Sequence, residues 1–346
     1  MNRFEHGGAV HSPQIMLDFS ANINPLGMPL SVKNALVDGV ERFSLYPDTD
    51  CTELRKNLSA HEKIKAENIV CGNGAADLIY RIVYAAKPKK ALLISPTFSE
   101  YEKALSEMSC DIDFYALDEK NDYAPDENLL ERLTDDKDIF FLCNPNNPVG
   151  NVIDAVLMRQ IADKCAEKSI LLVVDECFMD FVADGEKYTA KRFMRENTVI
   201  IKAFTKTYAM AGLRLGYALF GSEAVAEKVK HTGQCWGVSG PAQLAGIAAL
   251  GETEYVGKSV ELVSREREYM LSAINKIGIK TYPSVTNFIL FTSDIPLEKL
   301  LAEQGIAIRG CDNYRGLGKN FYRTAVRLHS ENEALIKALE RIVQNG

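Results

Sequence analysis

Four side chains of complementary chemistry follow short apolar runs in the middle of the chain: Asn147, Asp175, Lys206 and Arg214. Such runs suit buried strands, and ligands of open α/β sheets bind beyond the carboxyl ends of the strands. An amide, a carboxylate, an amine and a guanidinium are therefore expected together. Pyridoxal phosphate uses this set, because its aldehyde needs an amine, its pyridinium nitrogen a carboxylate, its ring oxygen a donor and its phosphate a cation. The sequence thus predicts a pyridoxal phosphate site.

Taken singly, each of these residues also suits an ordinary structural role. Asp175 and Glu176 would serve as a helix cap or a solvated pair, and a lysine after a strand is usually a surface charge. The G-N-G stretch at 72–74 precedes a helical pattern at 75–86, so its N–H groups would bind a phosphate or form a plain tight turn. It lacks the full G-x-G-x-x-G spacing of a dinucleotide site. The combination, not one motif, specifies the cofactor.

Short apolar runs alternate with stretches of helical spacing through the middle of the chain. The runs lie at 91–95, 139–143, 170–174 and 199–202. This alternation predicts an α/β fold with a mostly parallel sheet and helices on both faces.

The pattern changes after Pro241. A long helical stretch at 254–277 is followed by short strands near 288–291, 307–309 and 322–328 and by a helix at 331–343. We expect an N-terminal arm at 1–35 that docks on a small α+β domain at 241–346, with a large cofactor-binding domain at 36–240 between them.

Composition excludes several classes of protein. The 346 residues include 40 basic and 47 acidic side chains, a net charge of −7, which excludes a basic nucleic-acid-binding protein. No run reaches the roughly 18 apolar residues of a membrane span, and the first residues show no apolar signal segment. Eight cysteines without a C-x-x-C pair and five scattered histidines favour reduced thiols and no metal site. We expect a soluble, cytoplasmic protein.

Three segments carry a family resemblance: NPNNPVG at 144–150, DECFMDF at 175–181 and FTKTYAMAGLRLGY at 204–217. They resemble those of the fold type I, class I/II aminotransferases, and the likeness extends over nearly the whole chain. The resemblance implies a large domain with a seven-stranded sheet and a small domain formed by both termini. It also implies a homodimer whose active sites lie at the subunit interface.

The same resemblance implies a role for each site residue. Lys206 would bind the cofactor covalently and later transfer protons, while Asp175 would keep the pyridinium protonated and Asn147 would donate to the ring oxygen. The phosphate would contact four residues of one subunit and one tyrosine of the other: Gly74, Ala75, Thr205, Arg214 and Tyr46. Phe98 matches the aromatic residue that stacks on the ring, with Tyr101 as second choice.

Two groups within this family compete, the L-threonine-O-3-phosphate decarboxylases and the histidinol-phosphate aminotransferases. The stretches 6–8 (HGG), 17–29 (LDFSANINPLGMP) and 308–327 (IRGCDNYRGLGKNFYRTAVR) resemble the decarboxylases. Phe178 stands where the aminotransferases usually place a tyrosine that donates to the ring oxygen. The expected activity is therefore decarboxylation of O-phosphothreonine to aminopropanol phosphate, with transamination as the alternative.

Arginines near the C-terminus are candidates for binding an anionic substrate. Arg323 and Arg327 lie four residues apart, so on one strand both would point to the same face and bind a doubly acidic substrate. The family places a carboxylate-binding arginine at Arg323, whereas Arg327 would equally suit a surface salt bridge. Further substrate candidates are Arg309, Asn287, His6, Gly7, Gly8 and Asn24.

Two other classes of protein fit less well. A ligand sensor with this fold would need an additional basic DNA-binding domain, and the 35 residues before the large domain are too few and too rich in loops. A nicotinamide dehydrogenase would need the complete glycine pattern.

Overall fold

The computed structural model describes residues 7–8 and 14–345. Seven strands form its central sheet: β2 (Ile69–Gly72), β3 (Lys90–Ser95), β4 (Asp111–Ala116), β5 (Ile139–Cys143), β6 (Leu171–Asp175), β7 (Thr198–Ala203) and β8 (Gly216–Phe220). Their order is β2, β8, β7, β6, β5, β3, β4. The five strands from β4 to β7 pair in parallel, and β8 runs antiparallel to both of its neighbours. The predicted mostly parallel sheet of seven strands is confirmed.

Helices cover this sheet because parallel strands must be joined by crossovers that return along the faces. They are α1 (Leu30–Asp38), α2 (Thr52–Glu62), α3 (Ala75–Ala86), α4 (Glu100–Glu107), α5 (Ala155–Glu167), α6 (Phe204–Thr207), α7 (Glu223–Lys230) and α8 (Gly240–Leu250). The strands of the middle are almost wholly buried, as in the IFFLC run of β5. Their apolar side chains supply two hydrophobic clusters, one on each side of the sheet.

The C-terminal part forms a second, antiparallel sheet in the order β12, β13, β10, β9. Its strands are β9 (Lys280–Thr281), β10 (Phe288–Thr292), β12 (Arg309–Gly310) and β13 (Phe321–Ala325), and its helices are α9 (Thr253–Lys276), α10 (Leu297–Ala302) and α11 (His329–Asn345). A separate pair joins β1 (Leu17–Asp18) in parallel to β11 (Ile306–Ala307). The N-terminal segment therefore packs on C-terminal elements.

The domain bounds at 35 and 240 stay a prediction. Helix α8 follows the second bound, yet Ala242, Ala245 and Ala249 belong to the same hydrophobic cluster as Leu54 and Leu58 of α2. A third cluster combines Phe19 with residues of α9, β10 and α11. Among the helices of the described chain, none has the length and apolar character that a membrane crossing requires.

A buried ion-pair network ties α2 to the central sheet. Glu62, only 3% exposed, accepts hydrogen bonds from Lys202 (3.0 Å), Tyr217 (2.5 Å) and Lys191 (2.8 Å). Lys202 also lies 3.4 Å from Asp180. Burial alone would raise the pKa of Glu62, but the two lysines and the phenol hold that pKa well below its usual range. The carboxylate is therefore ionised in the folded protein.

We predict that Glu62→Gln lowers the free energy of unfolding at pH 7 by about 3 kcal/mol, because Lys202 and Lys191 lose a buried counter-charge. Urea denaturation followed by circular dichroism measures this change. Since folding lowers the pKa of Glu62 from its unfolded value of 4.5, the contribution is complete above that pH and is lost as the pH falls.

The control is Glu254→Gln, which removes an exposed pair with Lys258 at 2.9 Å. Because solvent screens an exposed pair, this variant should leave the free energy of unfolding close to the parent value. Similar losses of stability in the two variants would contradict the special role of the Glu62 network.

Candidate active site

A cavity of about 190 Å³ opens at the carboxyl ends of β5, β6 and β7. Nine residues predicted from the sequence line it: Gly7, Ala75, Phe98, Asn147, Asp175, Thr205, Lys206, Arg214 and Arg323. Of these, Ala75 begins α3. The polar residues that end successive strands thus meet at one edge of the sheet, because parallel strands present their carboxyl ends together.

Asp175 is the last residue of β6 and is held by two donors. Its Oδ2 accepts from the phenol of Tyr101 at 2.7 Å, and its Oδ1 accepts from the backbone N–H of Cys177 at 3.0 Å. Tyr101 is fully buried and stacks on Phe141, with ring centroids 5.2 Å apart. Tyr101 therefore does not line the cavity. Of the two aromatic candidates for stacking on the cofactor ring, Phe98 is the one that lines it.

Lys206 lies in the short helix α6, directly after β7. Its environment lowers its pKa to about 8, chiefly through desolvation and then through the positive charges of Arg323 and Arg214. Its Nζ lies 5.9 Å from the centre of the Phe178 ring. A substantial fraction of this amine is neutral at mildly alkaline pH, which makes it a nucleophile.

The start of α3 forms a cradle with Arg214. Gly74 precedes the helix at φ +85°, and a β-carbon at this position would collide with the Arg214 guanidinium. Arg214 itself has φ +60°, a costly conformation for a residue with a side chain. Free N–H groups at the start of a helix and a guanidinium attract an anion. The geometry therefore suits a phosphate here.

Arg323 reaches the cavity from the C-terminal sheet. Its Nη1 donates to Asn147 Oδ1 at 2.5 Å and its Nη2 to the carbonyl of Ser20 at 2.9 Å. The Tyr314 hydroxyl accepts a longer bond of 3.4 Å from Nη1. The Nε atom is buried without a hydrogen-bond partner among the described residues. An anion in the cavity would supply that partner.

Asn22, which no sequence pattern singled out, lines the cavity with Ser20, Ala21 and Tyr314. Asn22 is 2% exposed, and its buried Oδ1 has no hydrogen-bond partner within the described chain. An unsatisfied buried amide costs about 1–3 kcal/mol, which suggests that a ligand completes it. Only its place in the segment 17–29 could have drawn attention to it.

Asn24 was predicted to bind substrate, but its side chain forms hydrogen bonds with other parts of the protein. Its Nδ2 donates to the carbonyl of Thr207 and to Ser259 Oγ, both at 2.7 Å, and its backbone N–H donates to the carbonyl of Lys206. Asn24 thus ties the N-terminal segment to α6 and α9. It lies behind the lysine, outside the cavity lining.

Arg327 also lies outside the cavity. Strand β13 ends at Ala325, so Arg327 does not continue the face that carries Arg323. Its Nη1 donates to the carbonyl of Asp18 and its Nη2 pairs with Glu331 at 2.7 Å. The salt-bridge interpretation of Arg327 matches this geometry.

The other substrate candidates are distributed around the site. Gly7 lines the cavity, and Gly8 donates its N–H to Ser20 Oγ at 2.8 Å. Arg309 and Asn287 are buried but do not line it; Arg309 donates to Asn313 Oδ1 at 2.8 Å. His6 lies outside the described residues. The structure therefore gathers the predicted cofactor residues more completely than the predicted substrate residues.

Tyr46, predicted to reach a phosphate in the other subunit, is 80% exposed in the single chain. It stacks on Trp236 with ring centroids 4.5 Å apart.

Comparison with known proteins extends these observations. The family model for aminotransferase class I and II matches residues 14–342. The threonine-phosphate decarboxylase of Salmonella typhimurium is 35% identical, over 98% of this chain and 96% of that protein. The histidinol-phosphate aminotransferase of Methanosarcina mazei is 32% identical, over 95% of this chain and 88% of that protein.

The solved structure of the histidinol-phosphate aminotransferase from Clostridium acetobutylicum has the same fold. It is 31% identical, covers 96% of this chain and 100% of that chain, and gives a TM-score of 0.89. Both the sequence match and the shared architecture extend over almost the full length. The chain therefore belongs to the class I and II aminotransferase family.

Proposed function

We propose that the protein is a pyridoxal-phosphate-dependent lyase that decarboxylates L-threonine O-3-phosphate to (R)-1-aminopropan-2-ol O-phosphate, a step of cobalamin synthesis. The observation that carries the proposal is the meeting of Lys206, Asp175, Arg214 and Arg323 in one cavity. The 35% identity to a threonine-phosphate decarboxylase over nearly the whole chain supports this choice of reaction.

The residues present fit pyridoxal phosphate. The cradle of Gly74, Ala75, Thr205 and Arg214 would hold its phosphate, because the absence of a side chain at position 74 lets the Arg214 guanidinium lie against the start of α3. Asp175 would receive the ring N–H. Asn147 keeps its Nδ2 group for the ring oxygen, since its Oδ1 is bound by Arg323.

When bound, this cofactor supplies an electron-withdrawing ring that stabilises negative charge at the substrate Cα. Lys206 would hold the cofactor by its amine and, after carbon dioxide leaves, deliver a proton from Nζ to Cα. Arg323 would bind the substrate carboxylate and so fix the direction of the bond that breaks. Phe178, which is 6% exposed, offers no donor to the ring oxygen and limits the access of water.

Binding of O-phosphothreonine requires contacts for a carboxylate and for a phosphate. Arg323 carries the first contact. Asn22 and Tyr314 line the same cavity and offer an amide and a hydroxyl for the remaining polar groups. The unpartnered Nε of Arg323 supports this assignment, because a carboxylate oxygen of the substrate would accept its hydrogen bond.

The second candidate function is histidinol-phosphate aminotransfer. The likeness to the Clostridium acetobutylicum structure favours it. Arg323 does not separate the two reactions, since an amino donor such as glutamate also carries a carboxylate. Phe178 and the N-terminal residues in the cavity support the decarboxylase, whose resemblance includes those stretches.

We also propose that the protein is a cytoplasmic homodimer with shared active sites. Large apolar side chains lie exposed on the single chain: Leu30, Val37, Val40, Leu45, Tyr46 and Trp236. A second copy of the chain would cover such side chains. All eight cysteines are free thiols, which suits a reducing compartment.

We predict that Lys206 is the lysine that binds the cofactor covalently. Borohydride reduction of the cofactor-loaded protein, followed by mass spectrometry, should place the pyridoxyl group on Lys206. Lys202 is an internal control, because Glu62 binds its amine. Uptake of cofactor by the apo-protein should rise with pH and reach its midpoint near pH 8, where half of the amine is neutral. Labelling of another lysine, or a parent protein that binds no cofactor, would overturn the assignment.

The second prediction separates the two arginines. Arg323→Ala should lower kcat/KM for O-phosphothreonine at least about 30-fold, since losing a buried contact to a charge costs roughly 2–5 kcal/mol. Arg327→Ala should leave kcat/KM near the parent value, because its guanidinium is engaged by Asp18 and Glu331. Equal losses in steady-state assays would show that Arg327 also binds substrate.

The third prediction decides between the two reactions. Cofactor-loaded protein receives O-phosphothreonine in one assay, and histidinol phosphate with 2-oxoglutarate in another. We expect carbon dioxide from the first assay and little glutamate from the second. Glutamate formation without carbon dioxide release would move the assignment to the aminotransferase, with Lys206 and the cofactor unchanged.

A further inference from the structure

Tyr101 contacts both the hydrophobic core and the Asp175 carboxylate that lines the cavity. Its ring packs against Phe141 and against the edge of Phe98, with centroids 5.2 Å and 5.6 Å away. It belongs to the first turn of α4, and none of its side chain is exposed. Its phenol nevertheless ends on Asp175 Oδ2 at 2.7 Å. A buried tyrosine without access to the cavity thus contacts a residue that lines it.

We propose that Tyr101 is a positioning residue, which orients the Asp175 carboxylate so that it faces the cofactor's ring nitrogen and holds the proton there. The inference rests on the proposed function, because it assigns a task within the same pyridoxal phosphate site. Tyr101 would touch neither cofactor nor substrate and would act only through Asp175.

The orientation follows from the two hydrogen bonds of Asp175. One carboxylate oxygen is fixed by the Tyr101 phenol and the other by the N–H of Cys177. Two donors on different oxygens prevent rotation of the carboxylate about its terminal bond. The remaining lone pairs then face the cavity, where Asp175 is part of the lining. The packed ring of Tyr101 makes this donor rigid.

The direction of the Tyr101–Asp175 hydrogen bond is set by the phenol, which donates. Burial and the charge of Asp175 raise the pKa of the Tyr101 phenol well above its usual value, so the phenol remains a donor throughout the working range. Other titratable groups near Asp175 are Lys206, Cys177 and Cys143, and the Cys143 thiol donates to the carbonyl of Pro145.

Loss of the phenol would change how the proton is shared. Without Tyr101, the Asp175 carboxylate keeps only the Cys177 N–H as a donor, so it can turn away from the ring nitrogen and holds the proton there less firmly. The ring then withdraws fewer electrons, and the nitrogen that links Lys206 to the cofactor becomes more basic. The pH midpoint of the cofactor's absorption band reports that basicity directly and does not require turnover.

The test is Tyr101→Phe, which keeps the buried ring and removes one oxygen atom. We expect the pH midpoint of the bound cofactor's absorption band to rise by about half a unit. We also expect kcat to fall several-fold while KM for the substrate changes little. The matched control is Tyr217→Phe, which removes a phenol from the buried Glu62 carboxylate outside the cavity. It should lower stability but leave the midpoint unchanged.

A double-mutant cycle with Asp175→Asn isolates the contact. Because an amide at position 175 cannot be the charged partner, Tyr101→Phe should cause no further shift in that background. If Tyr101→Phe does not fold, Tyr101→His supplies a ring with an N–H donor, and its midpoint should stay near that of the parent.

The outcomes separate this inference from the proposed function. An unchanged midpoint in Tyr101→Phe, or an equal shift in Tyr217→Phe, overturns the positioning role while cofactor binding at Lys206 stands. Absence of covalent cofactor from the parent protein itself would remove the proposed function, and this inference with it.

Discussion

The contact of Arg323 with Asn147 and with the carbonyl of Ser20 connects the parts of the molecule at the site. Arg323 comes from the C-terminal sheet, Asn147 follows a strand of the central sheet, and Ser20 belongs to the N-terminal segment. One guanidinium therefore joins three separate regions of the chain. Its charge also helps to lower the pKa of Lys206, so the same interaction shapes the cavity and tunes its nucleophile.

The site depends on buried polar contacts behind it as well as on the residues that line it. The Tyr101 phenol holds Asp175, and Asn24 holds the backbone around Lys206. Glu62 pairs with Lys202 and Lys191, and Lys202 belongs to β7, the strand that leads into α6. Each contact fixes a residue by satisfied hydrogen bonds in a setting of low polarity, where a lost partner is costly. Rigid support of this kind suits a reaction in which the orientation of one bond decides the product.

The central sheet, and the grouping of the predicted cofactor residues in one cavity at its edge, were largely predictable from the sequence. Fully buried parallel strands are recognised in a sequence as short apolar runs. The polar residue at or after the end of each run then lies at the edge of the sheet. Asp175 at the end of β6 and Lys206 just after β7 are of this kind. The predicted substrate residues were gathered less completely, because several of them lie in the irregular N-terminal segment. The choice between Asn22 and Asn24 turned on a shift of two positions in a loop that has no periodic pattern.

The sequence by itself therefore determined the α/β fold, the family and the four residue types that suit pyridoxal phosphate. Only the tertiary structure decided that Arg323 faces the cavity while Arg327 pairs with Glu331, because the end of β13 at Ala325 is set by its pairing with β10. The tertiary structure likewise shows that Tyr101, a candidate for stacking on the cofactor ring, instead donates a hydrogen bond to the Asp175 carboxylate. Local patterns record burial and period, whereas the direction of a side chain depends on strand ends and packing partners distant in sequence.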